Sequence, residues 1–272
     1  MNKNRKPKVA IAILTAAVSL SLLAEIIAPY KPSYMNENAI GLAPSFSHIF
    51  GTDNLGRDLF TLILYGGRAS LTIGIASAVI GTLIAAVYGT LSGMANKHVD
   101  NLLMKSTDLF MSIPNLLIVI VLQAIWGEVS YWSLSLIIGV TSWMQMSKVI
   151  RSEVIRLRKS DFVIAAEMCG GSFWYILRRH LFPNYFSSIM FMAVSNVGSA
   201  IIVESTLSFM GLGLPISEIS WGSLMSLSQD ALLSDQWWMI IIPGVVMISV
   251  LVSITEIGEY IRGRNTSKGS NI

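Results

Sequence analysis

Six apolar stretches, each close to the length that about 20 residues of helix need to cross a ~30 Å hydrocarbon core, restrict this chain to a bilayer. They lie at 9–28, 69–94, 109–127, 129–147, 184–203 and 236–255, and Glu25, near the end of the first, is the one charged residue among them. In lipid every backbone N–H and C=O must find a partner inside the protein, and a helix satisfies its own. Composition agrees: 53% of the 272 residues are hydrophobic and 13% charged, too little polar surface to clothe a soluble globule. The expected fold class is all-α, a polytopic membrane protein with six transmembrane helices.

Charge sets the orientation, because Lys- and Arg-rich connections stay on the cytoplasmic side. Sixteen of the 19 basic residues precede the first stretch, follow the sixth, or lie in the second-to-third and fourth-to-fifth connections; Lys31, Arg57 and Arg68 remain for the other face. Both termini are therefore expected inside. The first stretch has the basic start of a signal peptide, but its apolar run is longer and no small-x-small cleavage site is clear, so a retained anchor is expected. Reporter fusions after Lys159 and on the C-terminal tail should report cytoplasm, and fusions near Met35 and Ser226 the outside. A cytoplasmic signal at Met35 would sink this topology. The single Cys169 has no internal disulfide partner, and His48, His98 and His180 match no metal-ligand spacing, so neither redox nor metal chemistry is expected.

Two outer connections are long. In 29–68, Pro29, Pro32 and Pro44 argue for an irregular path, after which the chain turns amphipathic. Over 57–65 it reads either as a short interfacial helix covering the outer mouth of the bundle or as a plain connector. The connection 211–235 carries Glu218, Asp230 and Asp235 without Lys or Arg, and reads as an ordinary solvated loop that could also attract a basic ligand or a partner.

The basic connection at about 148–183 has more internal order. Asp161 or Ser160 can cap a helix through Phe162, Ala165, Ala166 and Met168, which Gly170 and Gly171 then stop. Ser172 can cap a second helix, 173–182, ending before Pro183, with Phe173, Ile176 and Leu177 on one face. Two short helices joined by a glycine bend serve equally as a hairpin lying on the membrane or as a docking element.

An alanine pair (Ala165, Ala166), Gly170 four residues on, an apolar turn and then Leu181-x-Pro183 resemble the cytoplasmic EAA loop of binding-protein-dependent ABC importer permeases. The likeness runs along nearly the whole chain. FGTDNLGRDLFTLILYGGRASLTIG at 50–74 is similar to the outer segment and second span of the oligopeptide, dipeptide and nickel permease group. DLFMSIPNLLIVIVL from Asp108, ESTLSFMGLGLPISEISWG at 204–222 and WWMIIIPGVVMISVLVSITEIGEYIRG from Trp237 resemble its third, fifth and last spans. Five such segments in the family's order make a specific match. Two features depart from it: Ile164 stands where the loop's name-giving Glu belongs, with Glu167 nearby, and no Asp-Pro follows Arg262.

The resemblance implies a type I importer permease, with an anchor and outer segment at 1–68 and a five-helix core at 69–272. It implies a homologous second permease enclosing the pathway, two cytoplasmic ATPase subunits, an extracytoplasmic solute-binding protein, and residence in a bacterial inner membrane. No nucleic-acid partner is expected. The chain has no G-x-x-x-x-G-K-[ST] loop, so ATP and Mg are expected on the partner ATPases and no cofactor on this chain. Coupling to the ATPases then falls to Ala165, Ala166, Gly170, Gly171, Phe173, Ile176, Leu177 and Pro183, and no residue does covalent chemistry. Short peptides, nickel or metal-chelator complexes are the group's cargoes, and the short segment before the first span leans toward the nickel or metallophore branch.

Glu204, with Ser208 and Trp221 beyond it, is named for the outer gate; the carboxylate either lines the mouth or pins the following turn, the second being the heavier expectation. Gly74, Gly81, Gly89 and Gly93 at short spacings point to close helix packing. An autonomous carrier or channel would show ionisable residues within several spans or broken helices, and a membrane enzyme a catalytic cluster at membrane depth; neither pattern is visible in the sequence.

Overall fold

The computed structural model describes residues 7–215, 217–229, 231 and 235–268. Lys3, Arg5 and Lys6 of the basic tail and Asp230 of the acidic connection lie outside the described residues. The chain is helical: α1 Lys8–Leu22, α2 Ala24–Ile27, α3 Leu59–Met94, α4 Lys97–Met111, α5 Asn115–Trp126, α6 Tyr131–Thr141, α7 Trp143–Arg158, α8 Asp161–Met168, α9 Phe173–Ile176, a π-helical turn Leu177–Leu181, α10 Phe182–Phe209, α11 Trp221–Leu227 and α12 Trp238–Lys268. Among the described residues extended pairing is limited to one bridge between Thr52 and Asp58.

Leu59–Met94, Phe173–Phe209 and Trp238–Gly263 are each long and apolar enough to cross a bilayer, and α4 with α5 passes the same test as a pair bent by 82°. The apolar helices α1 and α6 are shorter, and after one-residue breaks at Leu23 and Ser142 the chain continues as α2 and α7. All six apolar stretches thus fall on a long helix or on a broken pair. Pro114 accounts for the bend, since it has no N–H to donate and disfavours helical angles at Ile113.

α3 is the central helix. Asp58 caps it, accepting from the N–H of Thr61 at 2.9 Å and its hydroxyl at 2.8 Å. Nothing breaks the helix after that cap, so residues 57–65 form no separate interfacial helix. They enter the first turns of a 36-residue helix, and the division at 68 falls inside it. On one side, Cβ atoms added at Gly74, Gly89 and Gly93 would meet Ile201, the Ser147 carbonyl and Val154 at 2.8, 2.5 and 2.8 Å, so α10 and α7 lie against bare backbone. On the other, Ile75, Val79, Leu83, Val87 and Leu91 recur every fourth residue and are exposed, an apolar stripe suited to lipid or another protein face.

The outer segment is irregular but pinned. Buried Asp53 accepts from the backbone N–H groups of Leu55 and Arg57 and from Arg57 Nε at 2.7 Å, and Trp238 Nε1 donates to the Thr52 carbonyl at 3.1 Å. Glu25 pairs with Arg68 at 2.7 Å; both are well exposed, so the pair is worth little.

The connection 211–235 is not an ordinary solvated loop. It folds inward through α11, whose N-cap Ser220 forms a reciprocal capping box with Ser223. Ile219, Trp221 and Leu224 are buried, and a Cβ at Gly222 would stand 2.4 Å from the Ser205 Cα, so this short helix fits only because residue 222 is glycine.

Candidate functional site

Two groups of residues singled out from the sequence occupy opposite ends of the bundle. At the basic end, Ser160 sits at the N-cap position of α8, but its hydroxyl donates back to the Leu157 carbonyl at 2.5 Å and caps nothing; Asp161 follows in the first turn, where negative charge is favourable. The C-terminus of α8 closes with the Gly170 N–H donating to the Glu167 carbonyl and the Gly171 N–H to the Ala166 carbonyl, both at 2.9 Å. Gly170 has φ +81° with open space around it, whereas a Cβ on Gly171 would lie 2.7 Å from the Ala166 oxygen. The first glycine is needed for its backbone angle, the second for close approach. Ser172 then caps α9, accepting from the Tyr175 N–H at 3.4 Å.

The second helix does not end before Pro183. Chain direction is kept from Phe173 to Phe209, a 37-residue helix, and the turn ahead of the proline widens to π-helical over Leu177–Leu181. Such a widening lets a helix pass a residue that has no N–H, so Pro183 becomes a residue of the first turn of α10.

The loop divides sharply by burial. Ile176 joins Val154, Leu157, Val163, Leu181 and Tyr185 in one core, with Ala166 and Leu177 packed against it. Ile176 and Leu177 therefore root the loop in this chain's own helices. Ala165, Gly170, Phe173 and Pro183 are exposed, as are Ile164, Met168 and Tyr175, and Trp174 is 74% exposed. The sequence reading missed Met168 and Trp174 because helical periodicity places them beside the apolar face without saying that nothing in this chain covers them.

The root is braced by charge. Arg158 Nη1 donates to the Gly93 and Met94 carbonyls at 3.2 and 3.1 Å, capping the C-terminus of α3. Asp100, on the polar lead-in helix α4, accepts from Arg151 Nε and from the Ser92 hydroxyl, each at 2.5 Å. The hydrogen bond from Arg151 holds the Asp100 carboxyl below the usual carboxylate range against the opposing pull of burial. Its stabilising contribution is thus fully present above the ordinary carboxylate pKa and is lost as pH falls through the lowered value. Arg151 and Arg158 were visible in sequence only as positive charge, since their partners are 51 and about 65 residues away.

At the opposite end Glu204, Ser208 and Trp221 come together, all buried. Glu204 Oε1 accepts from the Ser220 and Ser208 hydroxyls at 2.6 and 2.8 Å, and Oε2 from Ser70 and Ser205 at 3.3 and 3.4 Å. Ser70 also accepts from the Trp221 backbone N–H at 3.1 Å, and Trp221 Nε1 donates to the Ile63 carbonyl at 3.1 Å. One carboxylate therefore ties α10, α3 and the cap of α11 into one hydrogen-bonded group. Ser70 and Ser220 carried no local signal; they enter only through the fold. Among the described residues no three His, Cys, Asp or Glu side chains are grouped to hold a metal ion.

Residues 85–266 match the family described as the inner membrane component of binding-protein-dependent transport systems. Similar proteins include one named as a peptide permease in Brucella suis biovar 1 (strain 1330), 33% identical over 96% of this chain and 86% of the relative. The dipeptide transport system permease protein DppC of Bacillus subtilis (strain 168) is 29% identical over 95% of this chain and 81% of its own length. One named as a peptide transport system permease in Brucella abortus biovar 1 (strain 9-941) is 33% identical over 96% and 87%.

Proposed function

We propose that this chain, which belongs to the family of inner membrane components of binding-protein-dependent transport systems, is a permease subunit of an ATP-driven importer of short peptides. The observation that carries the coupling half of this reading is the exposed surface from Ile164 to Tyr175, rooted by the buried Ile176 and, just ahead of it, by the Arg158 hydrogen bonds to the end of α3. A rooted, uncovered aromatic surface at the basic end suits insertion into a cleft of a soluble ATPase, which hydrolyses the ATP in place of this chain. A homologous permease faces it across the pathway, a solute-binding protein delivers cargo from outside, and both termini lie in the cytoplasm. The names of the relatives support peptides as cargo. The lean toward the nickel or metallophore branch drawn from the short segment before the first span gains no support from those names.

Broken helices and a buried Glu204 do occur in this chain, so the expected absence of such features no longer argues against an autonomous carrier. Family membership supports the importer instead. The test is reconstitution in liposomes with and without the partner permease, ATPases and receptor. The complete assembly should hydrolyse ATP and take up trialanine, and the single chain should do neither; uptake by the purified chain alone, or nickel uptake without peptide uptake by the complex, would overturn the reading.

A further inference from the structure

We infer from the two helix breaks a half-site for the amide groups of the cargo, a reading that rests on the peptide assignment above. A cavity of about 300 Å³ lies where the α4–α5 bend, the α6–α7 break at Ser142 and the middle of α10 meet. That volume is at the lower end of small-molecule sites, enough for one segment of a cargo whose remainder lies on the facing subunit. None of its lining residues is ionisable, and its polar groups come from Asn115, Thr141, Ser142, Gln145, Asn196 and Ser199, with Met144 on the apolar wall.

The polar groups are left in a state that calls for a ligand. Asn115 Oδ1 is buried without a hydrogen-bond partner, at the first residue of α5. Buried acceptors are nearly always paired, so an orphan on a cavity wall marks a place where a donor arrives. Asn196 Nδ2 donates to the Ser142 hydroxyl at 3.1 Å, and that hydroxyl donates to the Gly139 carbonyl at 3.1 Å, which fixes the Asn196 carboxamide. The donors on the same wall are the side-chain amides of Gln145 from α7 and Asn196 from α10. Irregular backbone at membrane depth persists where it lines such a space. Donors and acceptors side by side, without net charge, match a peptide amide, which presents one of each; they match neither a bare cation nor a charged terminus.

The test uses the assembled importer, its receptor saturated in turn with trialanine and with trialanine N-methylated on its central residue, and rates corrected for receptor affinity measured separately. Removal of that N–H should slow wild-type transport about tenfold, the worth of one hydrogen bond to a buried group. Asn115→Leu should slow trialanine by a similar factor and lose discrimination between the two peptides. Equal discrimination in variant and wild type, or none in a wild type that does carry trialanine, would overturn the half-site. A wild type that carries no peptide would instead overturn the peptide assignment beneath it. A second measurement does not depend on Asn115 tolerating leucine: in a Cys169→Ser background, Ser199→Cys at the exposed mouth should react more slowly with maleimide during trialanine turnover, and unprotected labelling would count against occupancy.

Discussion

Replacement of Glu204 by leucine should lower the stability of the purified protein more than any other single change at this end of the bundle. The carboxylate accepts from four serine hydroxyls, Ser70, Ser205, Ser208 and Ser220, all of them on buried residues. Leucine would leave those hydroxyls without an acceptor where water cannot replace it, a loss of about 3–5 kcal/mol. Glu204→Gln keeps one acceptor oxygen for Ser208 and Ser220 and offers an amide donor to a neighbouring hydroxyl, so its cost should stay near 1 kcal/mol. Thermal unfolding in detergent, together with acrylamide quenching of the otherwise buried Trp221, should order the three proteins as wild type, Gln, then Leu. Leucine as stable as glutamate would mean that the serines find partners elsewhere, and that the carboxylate serves transport alone.

The contrast between Glu204 and its partners shows what a sequence can disclose. A carboxylate next to an apolar run is conspicuous by itself, because charge at membrane depth is costly. Ser70 and Ser220 are conspicuous nowhere, being small hydroxyls in helical or turn-like contexts whose importance arises from sequence separations of 134 and 16 residues. The apolar stretches were legible because lipid imposes a length on them, and the boundaries were not, because helices run past the bilayer: α3 starts ten residues before the apolar stretch at 69–94. Pro183 was misjudged for a similar reason. A local rule stops helices at proline, and here the tertiary contacts of Leu181 and Tyr185 hold the helix together across a widened turn. Connection 211–235 was misjudged because its acidic residues were weighed above the buried Ile219, Trp221 and Leu224. The glycine bend was read correctly from the spacing of Gly170 and Gly171, although only geometry separates their two roles.

That separation makes the bend the place where transport should be lost without loss of the fold. At Gly171 any side chain meets the Ala166 carbonyl at 2.7 Å, so Gly171→Val must break the paired hydrogen bonds that end α8. At Gly170 the space is open and only the φ of +81° resists, so Gly170→Ala should cost about 1–2 kcal/mol and leave the bend in place. Neither glycine belongs to the buried core around Ile176, which leaves insertion and pairing with a second permease to the spans. The expected order is near-normal uptake for Gly170→Ala and loss of uptake for Gly171→Val, with ATPase subunits co-purified at a tenth of the wild-type amount or less if about 1.4 kcal/mol or more of docking free energy is lost. Trp174→Ala separates shape from surface, since it removes an exposed ring without straining the backbone. If the loop couples through that surface, Trp174→Ala should also shed ATPase while α8 and its closing bonds stay intact. Gly171→Val complexes that retain their ATPases and transport normally would show that this hairpin only lies on the membrane, and coupling would have to be sought elsewhere at the basic end.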